Sequence, residues 1–299
     1  MTLLELIEAS AQQLTDAKVA FGHGTTNAFD EAAWLVLWQL GLPLDTPLDD
    51  ATDDLNLIAN QPVTPEQQAQ VATLLIARIT SRKPAAYLTQ EAWLQGVPFY
   101  IDERSIVPRS LIAELLVSGG IDYWLSASTQ RVLDLCTGNG SLAVLAAMAY
   151  PDVTVDASDI SPEALAVARI NVDKHGLQDR ITLLTANGLT GVNGPYDLIV
   201  CNPPYVNAQS MAALPAEYHA EPALALSGNA LGGSDGMDFI RQLLKDAPQY
   251  MTEKAVLVLE IGNEQAHFEA AFPTLQPIWL ETSAGEEQVL LLTRAALIA

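Results

Sequence analysis

The sequence predicts an α/β fold, with a seven-strand, mostly parallel sheet preceded by a smaller helical domain and a hairpin linker. Three observations carry this expectation. From about residue 109, short apolar runs alternate with helical stretches, the pattern of parallel strands joined by right-handed crossovers. The last two runs, near 275–281 and 287–293, lie too close together for a crossover helix, so they predict an antiparallel hairpin. Before residue 86 the apolar residues recur instead at three- and four-residue intervals, the spacing of helix faces.

Taken in order, Leu3, Leu4, Ile7, Ala11 and Leu14 line one side of a first helix, and Asp30 to Leu40 repeats the pattern with Trp34, Leu35, Leu37, Trp38 and Leu40. Leu42 to Pro62 is rich in Pro, Asp and Thr and reads as a loop, with Asp49-Asp50 and Asp53-Asp54 on a solvated face. Thr64 as cap, Pro65 in the first turn and Gln67 three residues after the cap start a third helix that carries Val71, Leu74, Leu75, Arg78 and Ile79, and Pro84 ends it. Around Gly96-Val97-Pro98, aromatic and β-branched residues predict a hairpin. Strands are then expected at 131–136, 153–158, 181–185, 196–201 and 255–260, and helices at about 140–150, 161–175, 234–248 and 264–271. The domains expected are a helical recognition domain at 1–86, a linker at 87–108 and the α/β domain at 109–299.

Composition narrows the setting. The chain has 299 residues, 49% of them hydrophobic and 17% charged, which suits a folded core and argues against disorder. No apolar stretch is long enough to span a bilayer. Met1 to Ala20 lacks the basic start and apolar core of a secretion signal, so a cytoplasmic protein without a membrane partner is expected. The two cysteines, Cys136 and Cys201, end two central strands and belong to no metal-spacing cluster; both read as small buried thiols. With 14 basic against 36 acidic residues, the net charge of −22 opposes a phosphate backbone and would attract a basic protein.

The most informative segment is Asn202-Pro203-Pro204-Tyr205, directly after the run Tyr196–Cys201. It puts a carboxamide, two rigid prolines and an aromatic ring at the carboxyl end of a buried strand, where open α/β sheets bind ligands. Upstream, Val132 to Cys136 runs into Thr137-Gly138-Asn139-Gly140, a strand followed by a glycine turn in which backbone can approach a nucleotide-like ligand. Asp159, about twenty residues on, stands where a carboxylate accepts ribose hydroxyls; capping the helix beside Ser161 is its plainer role. No third glycine follows Gly140 in this turn, so S-adenosylmethionine fits better than a dinucleotide. Asp134 either faces the donor's ammonium or fixes the loop.

Together the two motifs point to methyl transfer onto a planar nitrogen. Such a nitrogen has its lone pair delocalised and must be held in line with the methyl group. The Asn202 side-chain oxygen and the Pro203 carbonyl can each accept one N–H, and both bonds favour the charge that develops on nitrogen. The prolines preset these acceptors by fixing φ, and Tyr205 packs on the flat face of the acceptor. The plainer alternative is a proline turn in which Asn202 makes local hydrogen bonds.

At this point the chain resembles a known family, the protein-glutamine methyltransferases related to those that modify peptide-release factors. Asp134-Leu135-Cys136-Thr137-Gly138-Asn139-Gly140-Ser141, Asp159-Ile160-Ser161-Pro162 and the tetrapeptide match its motifs in order, as do Val107-Pro108-Arg109-Ser110 and Glu260-Ile261-Gly262-Asn263. Phe21-Gly22-His23-Gly24-Thr25 and Pro84-Ala85-Ala86-Tyr87-Leu88-Thr89 resemble the branch that methylates a glutamine of large-subunit ribosomal protein L-three. The resemblance implies a Rossmann-like class I methyltransferase fold. It implies S-adenosylmethionine as donor, held by Asp134, Cys136, Thr137, Gly138, Gly140, Asp159, Ile160, Asn187 and Asn202, with no metal. It also implies that Asn202 and Pro203 bind the substrate amide and that Pro204 and Tyr205 complete the pocket. The partner would be a basic ribosomal protein, free or within an assembly intermediate.

Two departures from the family pattern stand out. Asn187 replaces an aspartate expected near the adenine, and the segment from Glu221 to Gly236 is lengthened. His23 reads as a satisfied turn histidine rather than a partner contact, and Trp34, Trp38 and Trp93 read as packing. Rival readings remain: a release-factor glutamine methyltransferase, an adenine-amine methyltransferase of DNA or RNA, or a non-catalytic ribosome-assembly adaptor. The second must flip a base and hold the backbone with Lys and Arg, which this chain has in short supply.

Overall fold

In the computed structural model residues 1–48 and 57–298 are described; the acidic pairs at 49–50 and 53–54 lie outside them. The described chain divides into two compact units, Met1–Glu91 with Pro215–Ala220, and Ala92–Leu214 with Glu221–Ala299.

The first unit is helical. Helix α1 (Leu3–Asp16) starts with a capping box between Thr2 and Glu5, α2 (Ala28–Gln39) is capped by Asn27, and α3 (Pro65–Ser81) starts with the Thr64–Gln67 capping box that its sequence announces. Arg82 leaves α3 in a left-handed conformation (φ 58), and a short α4 (Ala85–Thr89) follows Pro84. Leu3, Ile7, Leu14, Leu35, Val36 and Leu75 are among the apolar side chains buried between these helices.

This unit also buries charge. The Arg78 side chain is fully enclosed, with Nε 2.8 Å from Glu31 and Nη1 3.5 Å from Glu217, while Arg82 Nε reaches Glu217 at 2.8 Å. A segment far along the chain, Pro215–Ala220, is thereby tied into the helical unit. Its Tyr218 ring lies 4.3 Å from that of His23, which is only 2% exposed. His23 is thus enclosed by its own chain.

The second unit opens with the expected hairpin, β1 (Glu91–Leu94) and β2 (Val97–Tyr100). Gln95 and Gly96 both have positive φ, as a two-residue turn matching the strand twist requires. Helix α5 (Ile112–Ser118) precedes the sheet, whose elements are β3 (Arg131–Leu135), α6 (Ser141–Ala149), β4 (Thr154–Asp159), α7 (Pro162–Lys174), β5 (Ile181–Thr185) and β6 (Tyr196–Cys201). They continue with α8 (Ala208–Ala213), α9 (Asp238–Asp246), β7 (Met251–Glu260), α10 (Gln265–Ala271), β8 (Ile278–Thr282), β9 (Gly285–Thr293) and α11 (Arg294–Ile298).

The strand order is β5-β4-β3-β6-β7-β9-β8, parallel through β7 with the closing β8–β9 hairpin antiparallel. Both faces are covered, which is why the central strands are nearly all apolar. Leu198 and Val200 of β6 pack with α6 on one face, while Ile199 and Cys201 pack with α9 on the other.

Some boundaries move. The helix expected at 234–248 begins only at Asp238, because that carboxylate accepts the N–H groups of Leu231 and Gly233 and holds the preceding loop. It gives way to a 3₁₀ turn at Ala247–Gln249, where Pro248 has no N–H to continue the α-helical ladder. Strand β3 stops at Leu135, since Cys136 is left-handed (φ 62) and turns the chain out of the sheet. Cys136 is therefore half-buried, a correction to the expectation of two buried thiols; Cys201 is fully buried.

Candidate functional site

Strands β5, β4, β3 and β6 are parallel neighbours ending on one edge of the sheet. The order reverses between β3 and β6, since the chain runs outward through β4 and β5 on one side and through β6 and β7 on the other. Such a switch point opens a crevice at the carboxyl ends of the strands. Leu135 pairs with Cys201 in the register, so the glycine turn and the tetrapeptide leave the sheet side by side.

On the β3 side the loop is wired by two carboxylates. Asp134 is fully buried; one of its oxygens accepts the Thr137 hydroxyl at 2.5 Å and the Ala143 N–H at 2.9 Å. These bonds fix the loop. Its other oxygen, Oδ1, has no hydrogen-bond partner among the described residues. Burial pushes its carboxyl up to about 7 against the pull of those two bonds, and the Asp159 charge pushes the same way. Asp159 uses both oxygens on backbone, accepting from Gly138 N–H and from Ser161 N–H, each at 2.9 Å, and burial raises its pKa. It thus joins the glycine turn to the start of α7, while Ser161 Oγ caps that helix.

The two glycines differ. Gly138 (φ 56) has only the Ser105 hydroxyl and an Ile106 methyl within 3.5 Å of where a Cβ would stand. Gly140 (φ 81) would place a Cβ 3.0 to 3.2 Å from Ala168, so its missing side chain lets α6 pack on α7. Beside them, Ile160 is 47% exposed, and Asn187 is exposed in a tight turn with Thr190. Thr137 is buried and donates its N–H to Ser158. Cys201 lies beside Cys136, and its thiol is pushed well up by burial and by that neighbour.

On the β6 side Asn202 is half-buried, and its carboxamide has no hydrogen-bond partner among the described residues. The bonds that an ordinary Asn-Pro turn would use are not made. Pro203 is buried; Pro204 and Tyr205 are half-buried. The Tyr205 ring lies against Gly262, where a Cβ would come within 2.7 Å of it, and its hydroxyl stands 3.5 Å from Glu260 Oε1.

The lengthened segment packs directly on this turn. Val206 N–H donates to Leu226, the Val206 carbonyl accepts from Gly228 N–H and from the Asn229 side chain, and a Cβ on Gly236 would strike the Tyr205 carbonyl. Three buried carboxylates, given no role in the sequence reading, hold the rest. Glu221 binds Arg109 through two 2.7 Å bonds and also accepts Val107 N–H; Glu260 accepts from Ser110 Oγ at 2.6 Å and Leu111 N–H at 2.9 Å; Glu264 accepts from the Asn207 side chain at 2.7 Å. The segments of Glu221 and Glu260 were visible in sequence, but their pairing with residues more than a hundred positions away was not.

The family model described as methyltransferase small domain matches residues 115–227. The chain is 52% identical over 299 residues to the ribosomal protein uL3 glutamine methyltransferase of Bordetella pertussis, covering 99% of this chain and 96% of that one. It is 44% identical over 301 residues to the protein of the same name from Neisseria meningitidis serogroup A, covering 99% and 94%. Among solved structures, the hMettl16 catalytic domain in complex with MAT2A 3'UTR hairpin 6 has a TM-score of 0.51 at 15% identity, covering 77% of this chain and 81% of that one, a likeness of fold alone. From identity of this extent along the whole chain, the protein belongs to the family of the ribosomal protein uL3 glutamine methyltransferases.

Proposed function

We propose that this protein methylates the side-chain amide nitrogen of a glutamine in ribosomal protein uL3, with S-adenosylmethionine as donor. The observation that carries the reading is the partnerless carboxamide of Asn202 at the switch point, because a half-buried amide without protein bonds is an acceptor kept for a ligand. The Asn202 oxygen would take one N–H of the substrate amide and the Pro203 carbonyl the other, with Pro204 and Tyr205 shaping the pocket. The bound donor supplies an electrophilic methyl on a sulfonium. Asp134, with one unpartnered buried oxygen, suits a cationic ligand; Cys136, Thr137, Gly138, Gly140, Asp159, Ile160, Asn187 and Asn202 complete the group assigned to it.

Holding the amide in line is the work required of these residues. The nitrogen becomes acidic once methylated and sheds its extra proton, so no strong general base is needed. The helical unit is assigned to recognition of the protein substrate, residues 87–108 to linking, and residues 109–299 to transfer. A net charge of −22 favours a basic ribosomal protein, free or in an assembly intermediate, over direct nucleic acid binding. No helix among the described residues is long and apolar enough to cross a membrane, and a ribosomal substrate supports action in the cytoplasm.

Incubation with radiolabelled donor and purified uL3, release factor or oligonucleotide tests the reading. Label on a uL3 glutamine, located by mass spectrometry, is expected. Label on the release factor or oligonucleotide instead, or on none, would overturn it.

A further inference from the structure

We infer that Glu260 is a positioning residue for the acceptor pocket, acting through Tyr205 and anchored by the Pro-Arg-Ser segment; this rests on the reading of Tyr205 as a pocket wall. Glu260 ends β7, the strand beside β6, and the register pairs Cys201 with Leu259, so the two chains leave the sheet together carrying Tyr205 and Glu260. The carboxylate is 4% exposed. A buried charge is retained only where its oxygens are bonded. Oε2 is held by the Ser110 hydroxyl at 2.6 Å and the Leu111 N–H at 2.9 Å, which leaves Oε1 aimed at the Tyr205 hydroxyl.

The ring has little freedom to answer in any other way. Gly262, two residues after Glu260, gives the space the ring occupies, since a Cβ there would stand 2.7 to 3.0 Å from its Cε2, hydroxyl and Cζ. Behind it, the Tyr205 carbonyl fills the space that a Cβ on Gly236 would need. Glu260 is therefore the polar fixture for a ring already boxed in by glycines. The 3.5 Å separation is the outer limit of a hydrogen bond, and such contacts tighten once a pocket is filled. The contribution belongs to the loaded enzyme, not to the resting fold.

A double-mutant cycle on the full chain tests this, with Tyr205→Phe, Glu260→Gln and the pair, using uL3 as acceptor and reading acceptor kcat/KM, donor Kd and Tm. Each single change is expected to lower acceptor kcat/KM about tenfold, or ~1.4 kcal/mol, with donor Kd unchanged within about twofold. The double variant is expected to be no worse than either single one, because both act on the same contact. Effects that multiply to about a hundredfold would overturn the inference, as would a loss of donor binding and Tm in parallel with activity, which marks a merely structural role. If the unaltered enzyme leaves uL3 unlabelled, the functional reading itself fails; if it labels uL3 and the effects multiply, only the role of Glu260 does.

Discussion

The main-chain N–H of Gly138 donates to the Asp159 carboxylate at 2.9 Å, so the turn after β3 is shaped by the residue that ends β4. The second Asp159 oxygen accepts Ser161 N–H at the same distance. An asparagine could satisfy only one of these amides and would turn its own NH₂ against the other. Asp159→Asn is therefore expected to weaken donor binding at least tenfold, with about 1–2 kcal/mol lost from folding stability. Calorimetric titration of donor alongside chemical denaturation checks both; donor affinity within about twofold of the parent would show that the turn does not depend on this carboxylate.

Asn202 offers the opposite case, a polar side chain on which the folded protein makes no demand. Its carboxamide has no partner among the described residues, so removing it breaks no intramolecular bond. Asn202→Ala should leave Tm and donor affinity nearly unchanged while lowering turnover by about a hundredfold or more, the range seen when a transition-state hydrogen-bond partner is removed. A single-turnover assay with saturating donor separates the effects. Normal turnover would refute the role.

Asp134 makes stability depend on pH. Its carboxyl is raised from 3.8 to about 7 in the folded chain, so between these values the folded state keeps a proton that the unfolded chain has released. Stability from this group is complete below the unfolded value and is lost as pH rises through about 7. The shifts of Glu31, Asp159 and Glu260 have the same sign, each led by burial. The unfolding free energy should fall between about pH 5.5 and pH 8, and Asp134→Asn should remove about 2 kcal/mol of that fall. Denaturant titrations of both proteins at the two pH values measure it; parallel slopes would mean that Asp134 does not titrate in this range.

Legibility in the sequence followed the range of the interaction. The capping box at Thr64, the strand runs and the glycine turn are written within a few residues, and each formed where its local chemistry demanded. The short helices α5, α8 and α11 carry too few turns for a periodic signal, and their ends are set by tertiary neighbours. Gly140 was legible as a glycine that had to be there, but not as one required by Ala168, because the opposing atom lies in the next helix. The pairings of Glu221 with Arg109 and of Glu260 with Ser110 link residues more than a hundred positions apart, and nothing in either local sequence points to the other.

Arg78 shows the same limit in the helical unit and leads to the last expectation. Its pattern position within α3 reads as a buried face, but its partners are Glu31 from α2 and Glu217 from the segment Pro215–Ala220. Removing the guanidinium would leave two enclosed carboxylates without their shared cation, although Arg82 still reaches Glu217. Burial already raises the Glu31 pKa against the attraction of Arg78, so loss of that attraction would raise it further. Arg78→Met, which keeps most of the volume, is therefore expected to cost about 3–5 kcal/mol. Part of that should return as pH falls and Glu31 takes up a proton, the direction opposite to acid unfolding. Limited proteolysis should cut first within Pro215–Ala220, where Glu217 has lost one of its two arginines. A variant within about 1 kcal/mol of the parent at neutral pH, with no new cleavage there, would show that this segment is held by its apolar contacts instead.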